Sequence, residues 1–204
     1  MLPFSSLLTH SLLYGALLSA LLSVLIVLSL LFRPMIWIND APPVLRDAAG
    51  PISAADRRLR WLLGAAVLGL LVVFPVLALA GLQQLGNGPL TFGAAALSVF
   101  IVLMTFNTVD LVLLDWLFVE RLAPGRIAFP NAPGMRFTRG DAYHFRGFLI
   151  GTGLSLAAAV VTRTLLLDRD SCACTLSMVG FTVAMVTATA LSRRKKWPGW
   201  SMSN

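Results

Sequence analysis

Charged residues are scarce in this sequence, and their scarcity excludes most soluble folds. Only 12% of the 204 residues are charged, 57% are hydrophobic, and the mean hydropathy is +0.82. A soluble domain has about a quarter of its residues charged, so this chain has too little polar surface to coat a water-soluble globule. Its apolar residues also form long uninterrupted blocks, as membrane-spanning helices do. The composition therefore predicts an all-α, polytopic transmembrane helical bundle that forms a single integral membrane domain over residues 1–204.

Several motifs that specific functions require are also missing. The sequence has no Cys-x-x-Cys pair, no Gly-x-Ser-x-Gly and no His-Glu-x-x-His, which are the patterns of redox relays, serine hydrolases and zinc proteases. The pair Asp110 and Asp115 lacks the Gly and Ala-Arg that would follow it in a CDP-alcohol phosphotransferase. We therefore expect no cofactor and no metal, and an enzyme is less expected than a non-enzymatic protein.

The net charge of +7 invites a nucleic-acid interpretation, but the distribution of the charge opposes it. The basic residues lie in loops beside apolar blocks, where retention in the cytoplasm and contact with anionic headgroups explain them. No basic helix is interleaved with aromatic residues for base stacking. We expect the lipid bilayer as a partner, and no nucleic acid.

Five apolar blocks have lengths that suit membrane spans. Since a helix rises 1.5 Å per residue, about 20 residues cross roughly 30 Å of hydrocarbon. Ser53 followed by Asp56 predicts a helix start ahead of the second block, and Pro75 predicts a kink inside it. The predicted spans cover about 11–32, 61–82, 92–117, 147–167 and 175–191, the last of them short.

The arginines predict the orientation of these spans. Loops 33–60 and 120–146 hold five arginines each, and Arg193–Lys196 is a run of four basic residues, whereas the other connections hold almost none. Because basic residues stay in the cytoplasm, both loops and the C-terminus are predicted inside and the N-terminus outside. Only two of the 16 basic residues are lysine, which together with the many Ala, Leu and Gly residues favours a bacterial source. We expect a bacterial cytoplasmic membrane.

Small residues recur at every fourth position on the last two predicted spans. Because small residues let helix backbones approach closely in lipid, the two stripes predict an antiparallel packed pair. The alternative is that Gly and Ala are simply common in such helices. The stripes are Gly147, Gly151, Ser155 and Ala159 on the fourth span and Gly180, Ala184 and Ala188 on the fifth.

Polar residues predicted on one membrane face form the candidate site. Asp110 lies six residues, or about 9 Å, inside the interface that Trp116 marks, where an ionised carboxylate needs a partner, a proton or water. Arg33 and Arg146, on the same side, are the candidate charge partners. The group can be a site that handles a proton or an ion, or it can hold the bundle together by structural contacts. Its members are Asn39, Asp40, Asn107, Asp110, Asp115, Asp141 and His144.

Three short stretches resemble small bacterial multi-pass membrane proteins of unknown function. These stretches are residues 33–43, 107–116 and 140–151. The family pattern includes an Asp-Tyr-Pro-Pro turn, in which Ala41 stands here for the tyrosine, and an Asp-Leu-Leu-Val-Leu-Asp-Trp helix end, which Asp110–Trp116 resembles. The resemblance implies that these segments belong together, and it implies no activity.

Three functions fit these observations. The first is a structural or assembly subunit, with copies of itself or other membrane subunits as partners. The second is a small proton- or ion-coupled transporter that uses Asp110. The third is a membrane-embedded enzyme that acts on a lipid at the cytoplasmic interface, with a cleft between spans one, three and four. Its acid and base candidates are Asp110, Asp115, Asp141 and His144.

Overall fold

The computed structural model of this chain consists of helices and the short connections between them. It describes residues 3–122, 127, 129, 131, 132, 134, 135 and 140–167, with side chains as far as residue 162. This described part contains no β-strand, and the all-α prediction is confirmed for it. Its elements are α1 (Phe4–Phe32), a 3₁₀ helix (Pro34–Asp40), α2 (Pro43–Ala49), α3 (Ala54–Leu85), α4 (Phe92–Val109), a π-helix (Asp110–Leu122) that continues α4, and α5 (Asp141–Leu167).

Four of the described helices are long and apolar enough to cross a membrane: Phe4–Phe32, Ala54–Leu85, Phe92–Leu122 and Asp141–Thr162. They correspond to the first four predicted spans. The predicted fifth span, with Gly180, Ala184 and Ala188, lies outside the described residues. The chain divides into two compact units, residues 1–163 and 164–204, and the packing described below belongs to the first.

Side-chain caps lie at the starts of α3 and α4, and the sequence predicts the first of them. The Ser53 hydroxyl accepts a hydrogen bond from the Asp56 backbone N–H at 3.0 Å and donates one to its carboxylate at 2.6 Å, so the predicted start of α3 is confirmed. Thr91 caps α4 in the same way, accepting from the Ala94 N–H at 3.3 Å. Such caps satisfy backbone N–H groups that the first turn leaves unpaired. The helix α3 continues through Pro75 as a single element.

The first helix packs against both α3 and α4. The hydroxyl groups of Ser11 in α1 and Ser98 in α4 are hydrogen-bonded at 2.9 Å, and His10 Nε2 lies 3.1 Å from the Ala78 carbonyl oxygen of α3. Apolar side chains fill the centre of this three-helix contact, and Leu18 and Leu22 are fully buried there. Small residues and hydrogen bonds between helices are the means by which helices associate in lipid.

A second apolar core lies at one end of the bundle, where the two arginine-rich loops meet. The Asn131 amide donates to the Ala49 carbonyl at 3.1 Å, so segments of the two loops are in direct contact. Trp37 Nε1 donates to the Ser29 hydroxyl at 3.0 Å and ties the 3₁₀ helix to α1. Both loops thus lie at the same end of the bundle, as their prediction on one membrane face requires. The buried side chains of this core are Leu30, Ile38, Ala41, Leu45, Ala49, Val119, Ile127, Phe129 and Ala132.

Replacing Gly15 with alanine tests the close approach of α1 to α4. A Cβ added there would lie 2.7 Å from the Thr105 Cβ, whereas a Cβ added at Gly64 in α3 would meet nothing within 4 Å. Because overpacking costs about 1–3 kcal/mol, we expect Gly15→Ala to lower the midpoint of thermal unfolding in detergent micelles. Gly64→Ala should keep or raise it, since alanine is the better helix former. Equal midpoints for the two variants would contradict the α1–α4 contact.

Candidate functional site

The backbone of the third span changes its hydrogen-bonding pattern at Asp110. From Asp110 to Leu122 it is a π-helix, in which each bond closes over five residues instead of four. Residues five apart therefore lie closer to one side of the helix than they do in an α-helix, in which they are rotated by roughly 140° from one another. Asp110, Asp115 and Glu120 are spaced by five residues. The π-helix thus gathers on one side three acids that an α-helix would distribute around its circumference.

The imidazole of His144, in the first turn of α5, lies between two of these acids. Its Nδ1 is 3.0 Å from Asp115 Oδ2 and its Nε2 is 2.8 Å from Glu120 Oε1, and the His144 side chain is 9% exposed. A neutral imidazole donates through only one nitrogen, so two such bonds require either the imidazolium form or a proton on one carboxyl group. A proton therefore belongs to this arrangement.

Asp110 is the third carboxylate of the group. It is half-buried and interacts electrostatically with both Asp115 and His144. Because two negative charges that are close together repel each other, a proton bound by either acid relieves the repulsion. Asp110, Asp115, Glu120 and His144, here named the acid–imidazole cluster, thus have the chemistry of a shared proton site.

Glu120 is the member of the cluster that the sequence analysis missed. Its carboxylate also accepts a hydrogen bond from the Gly140 backbone N–H at 3.0 Å, so it holds the residue that precedes α5 as well as His144. It is the only glutamate in the chain, five residues after Asp115. In an α-helix this spacing would place Glu120 and Asp115 on different sides of the helix. Only the assumption of a π-helix would have aligned Glu120 with the two aspartates.

Asn107, which was predicted to belong to the site, instead joins α4 to α5. Its amide nitrogen donates to the Phe148 carbonyl at 3.0 Å and to the Thr152 hydroxyl at 3.3 Å. A Cβ added at Gly151 would overlap the Asn107 side chain, so the contact requires glycine at that position. Asn107 therefore contributes to helix packing through a hydrogen bond between spans.

The small stripe of the fourth span thus faces the third span at Gly151. Ser155 and Ala159, further along the stripe, are buried. Gly147 is exposed, and a Cβ there would meet nothing within 4 Å. The predicted partner stripe on the fifth span lies outside the described residues, so the pairing of the two stripes stays a prediction.

Asn39, in the 3₁₀ helix, has its partner at the start of α3. With its amide oxygen turned toward α3, Asn39 accepts hydrogen bonds from the Arg60 guanidinium. Asp40 is the last residue of the 3₁₀ helix. Arg33 forms an ion pair with Asp56 at 3.6 Å rather than with Asp110, because the end of α1 lies beside the start of α3.

Asp141, the remaining predicted member, and Arg146, the second candidate charge partner, lie in the first turns of α5 on either side of His144. Both side chains are exposed. Asp141 is the first residue of α5, where a carboxylate interacts favourably with the positive end of the helix dipole. Of the seven predicted residues, three therefore contribute to the acid–imidazole cluster: Asp110, Asp115 and His144.

Metal coordination is not the arrangement seen in this cluster. Within the part of the chain that the structure describes, no group of three or more His, Cys, Asp and Glu side chains is placed to hold a metal ion. Both nitrogens of His144 contact carboxylate oxygens directly, at hydrogen-bond distance. Hydrogen bonds to Asp115 and Glu120 thus account for both ring nitrogens of His144.

Replacing Glu120 tests the bridge. Glu120→Ala removes the acceptor of both His144 and the Gly140 N–H, and an unpaired buried polar group costs about 1–3 kcal/mol. We expect a lower midpoint of thermal unfolding in micelles, with a smaller loss for Glu120→Gln, which keeps a carbonyl acceptor. The control is Asp47→Ala, which removes an exposed carboxylate from α2. A Glu120→Ala protein as stable as this control would disprove the bridge.

Comparison with known proteins found no matching family model, no similar curated protein and no similar solved structure. The fold and the site therefore carry the functional argument by themselves. They describe a helical chain with four helices suited to spanning a membrane and an acid–imidazole cluster that joins the third of these helices to the fourth.

Proposed function

We propose that this chain is a multi-pass integral membrane protein whose acid–imidazole cluster binds and releases a proton, and that it works as a small proton-coupled transporter. The observation that carries the proposal is the placement of Asp110, Asp115 and Glu120 on one side of the π-helix, with the imidazole of His144 bonded to the last two.

The charges of the acid–imidazole cluster do not balance when all four groups are ionised. When all members are ionised, the cluster holds three negative charges and one positive charge, in a place where the side chains of Asp115, Glu120 and His144 are 27%, 14% and 9% exposed. Like charges interact more strongly where water is excluded. A bound proton removes part of this imbalance.

The bonds of His144 link the bound proton to the arrangement of the helices. His144 belongs to α5, whereas its two carboxylate partners belong to the π-helix that continues α4. Adding or removing a proton changes which of these bonds form, and so it changes the contact between the two helices. Coupling of this kind between protonation and helix contacts is what proton-coupled transport requires.

The proposed membrane arrangement has five spans, an external N-terminus and an internal C-terminus in a bacterial cytoplasmic membrane. It is supported by the four apolar helices and by the meeting of the two arginine-rich loops at one end of the bundle. Positive-inside retention then assigns that end to the cytoplasm.

Cysteine labelling tests this orientation. In a protein without Cys172 and Cys174, we expect Gly88→Cys, in the turn between α3 and α4, to react with a membrane-impermeant thiol reagent on intact cells. We expect Asp47→Cys, in α2, to react only after the cells are lysed, because its loop carries the retained arginines. The cysteine-free protein is the control for background. The reverse pattern would invert the proposed map.

Replacing Asp110 tests the transport proposal. In proteoliposomes that contain a pH-sensitive dye and carry a potassium diffusion potential, we expect the protein to admit protons. Asp110→Asn should reduce the flux to the level of protein-free vesicles, because the amide cannot bind the exchanged proton. Asp47→Asn, the same change at an exposed position, should leave the flux unchanged. Equal flux for Asp110→Asn and the unmodified protein would refute the proposal.

A second candidate, the structural or assembly subunit, is favoured by a separate observation. Asn107 donates hydrogen bonds to α5 at two positions, and its side chain fills the space beside Gly151. This polar side chain therefore holds two helices together and is not available for transport. This candidate predicts no proton flux from the unmodified protein and normal assembly of the Asp110→Asn variant. Partners would be further copies of the chain or other membrane subunits.

The lipid-modifying enzyme has less support from the geometry. Its predicted cleft lies between spans one, three and four. In the described part of the chain, the interface of α1 with α4 is filled by buried side chains, among them Leu22 and Val102. The apolar groove in the structure lies instead between α1 and α3.

A further inference from the structure

An apolar groove runs between α1 and α3 on the outside of the bundle. Its walls include Leu21, Leu25 and Leu28 of α1 and Ala66 and Gly69 of α3. Its volume is about 520 Å³, within the range of sites that hold small molecules. All of these residues lie within candidate spans, so in the membrane arrangement proposed above the medium beside the groove is hydrocarbon.

Small residues of α3 keep the groove open. A Cβ added at Gly69 would meet nothing within 4 Å, and Ala66 beside it carries only a methyl group. On the opposite wall the side chains stay accessible, with Leu21 and Leu28 exposed to 47% and 48%. A flexible hydrocarbon chain can therefore enter from the side and contact apolar atoms along its length.

The groove leads toward two guanidinium groups at the end of the bundle that holds the second core. Arg58 precedes Gly69 by eleven residues, which places it within roughly 20° of the same direction on α3 and about 16 Å further along the axis. It is exposed. Arg33 follows the last residue of α1, and it is 64% exposed although it pairs with Asp56 at 3.6 Å. Since Asp56 belongs to the first turn of α3, Arg33 and Arg58 lie at the same end of the groove.

We propose that this groove binds an anionic phospholipid, with one acyl chain between α1 and α3 and the headgroup at Arg58 and Arg33. A guanidinium binds phosphate through well-directed, charge-assisted hydrogen bonds. The cytoplasmic leaflet, where these arginines are expected, is the one that displays anionic lipids. The distance of about 16 Å from Arg58 to Gly69 is one that a lipid with a surface headgroup and a buried chain can bridge.

The experiment measures lipid that stays bound to the purified full-length protein by native mass spectrometry. The probes are phosphatidylglycerol and phosphatidylcholine with identical acyl chains. Gly69→Leu and Ala66→Leu fill the groove, and Gly64→Leu is the matched control, because Gly64 lies on another side of α3 and also has open space around it. Arg58→Gln removes the cation at the groove, and Arg57→Gln removes its exposed neighbour.

We expect the unmodified protein, Gly64→Leu and Arg57→Gln to retain phosphatidylglycerol in preference to phosphatidylcholine. The groove-filling variants should lose both lipids. Arg58→Gln should reduce the preference by about fivefold, the equivalent of about 1 kcal/mol for one arginine near an anionic surface. Circular dichroism and thermal unfolding identify which of the two groove-filling variants is folded, and that variant is the one compared.

Two results would overturn the proposal. One is equal lipid retention by a folded groove-filling variant and Gly64→Leu, which would mean that the lipid lies elsewhere on the bundle. The other is equal retention of phosphatidylglycerol and phosphatidylcholine by the unmodified protein, which would mean that Arg58 and Arg33 select no charge. Neither result depends on proton binding by the acid–imidazole cluster.

Discussion

The imidazole of His144 lies between the carboxylates of Asp115 and Glu120, and this bridge joins the end of the third span to the start of the fourth. Hydrocarbon offers no water to a polar group, so each such group must find its partner within the protein. The two carboxylates reach the same ring because the backbone is a π-helix in this region. Backbone geometry, charge pairing and helix packing therefore depend on one another here.

The remaining helix contacts follow the same constraint in simpler ways. Ser11 of α1 is hydrogen-bonded to Ser98 of α4, and the Asn107 amide donates to the backbone of α5. Glycine allows close approach of two helices where a larger side chain would overlap its neighbour. The apolar core around Val119 and Phe129 covers the end of the bundle at which the π-helix finishes. One end of this helical unit thus carries the acid–imidazole cluster, the contact between the two arginine-rich loops, and the side chains of Arg33 and Arg58.

The candidate site was partly predictable, and the reason is geometric. Asp110 and Asp115 were recognised because carboxylates inside an apolar block are costly, and His144 because imidazole is rare in this chain. Glu120 was missed because its spacing from Asp115 places it elsewhere on an α-helix. Arg33 was assigned to Asp110 by its membrane side alone, and the structure pairs it with Asp56, which lies next to it at the start of α3.

The sequence alone determined the helical class of the described part, four helices long and apolar enough to span a membrane, and the cap at Ser53, because hydropathy and capping act within a few turns of the chain. It also indicated that the two arginine-rich loops share one end, since their charges respond to the same membrane face. Only the tertiary structure decided that α4 continues as a π-helix, that Asn107 serves packing, and that His144 bridges two acids. Those features depend on the distance and direction between residues far apart in sequence, which local patterns do not encode.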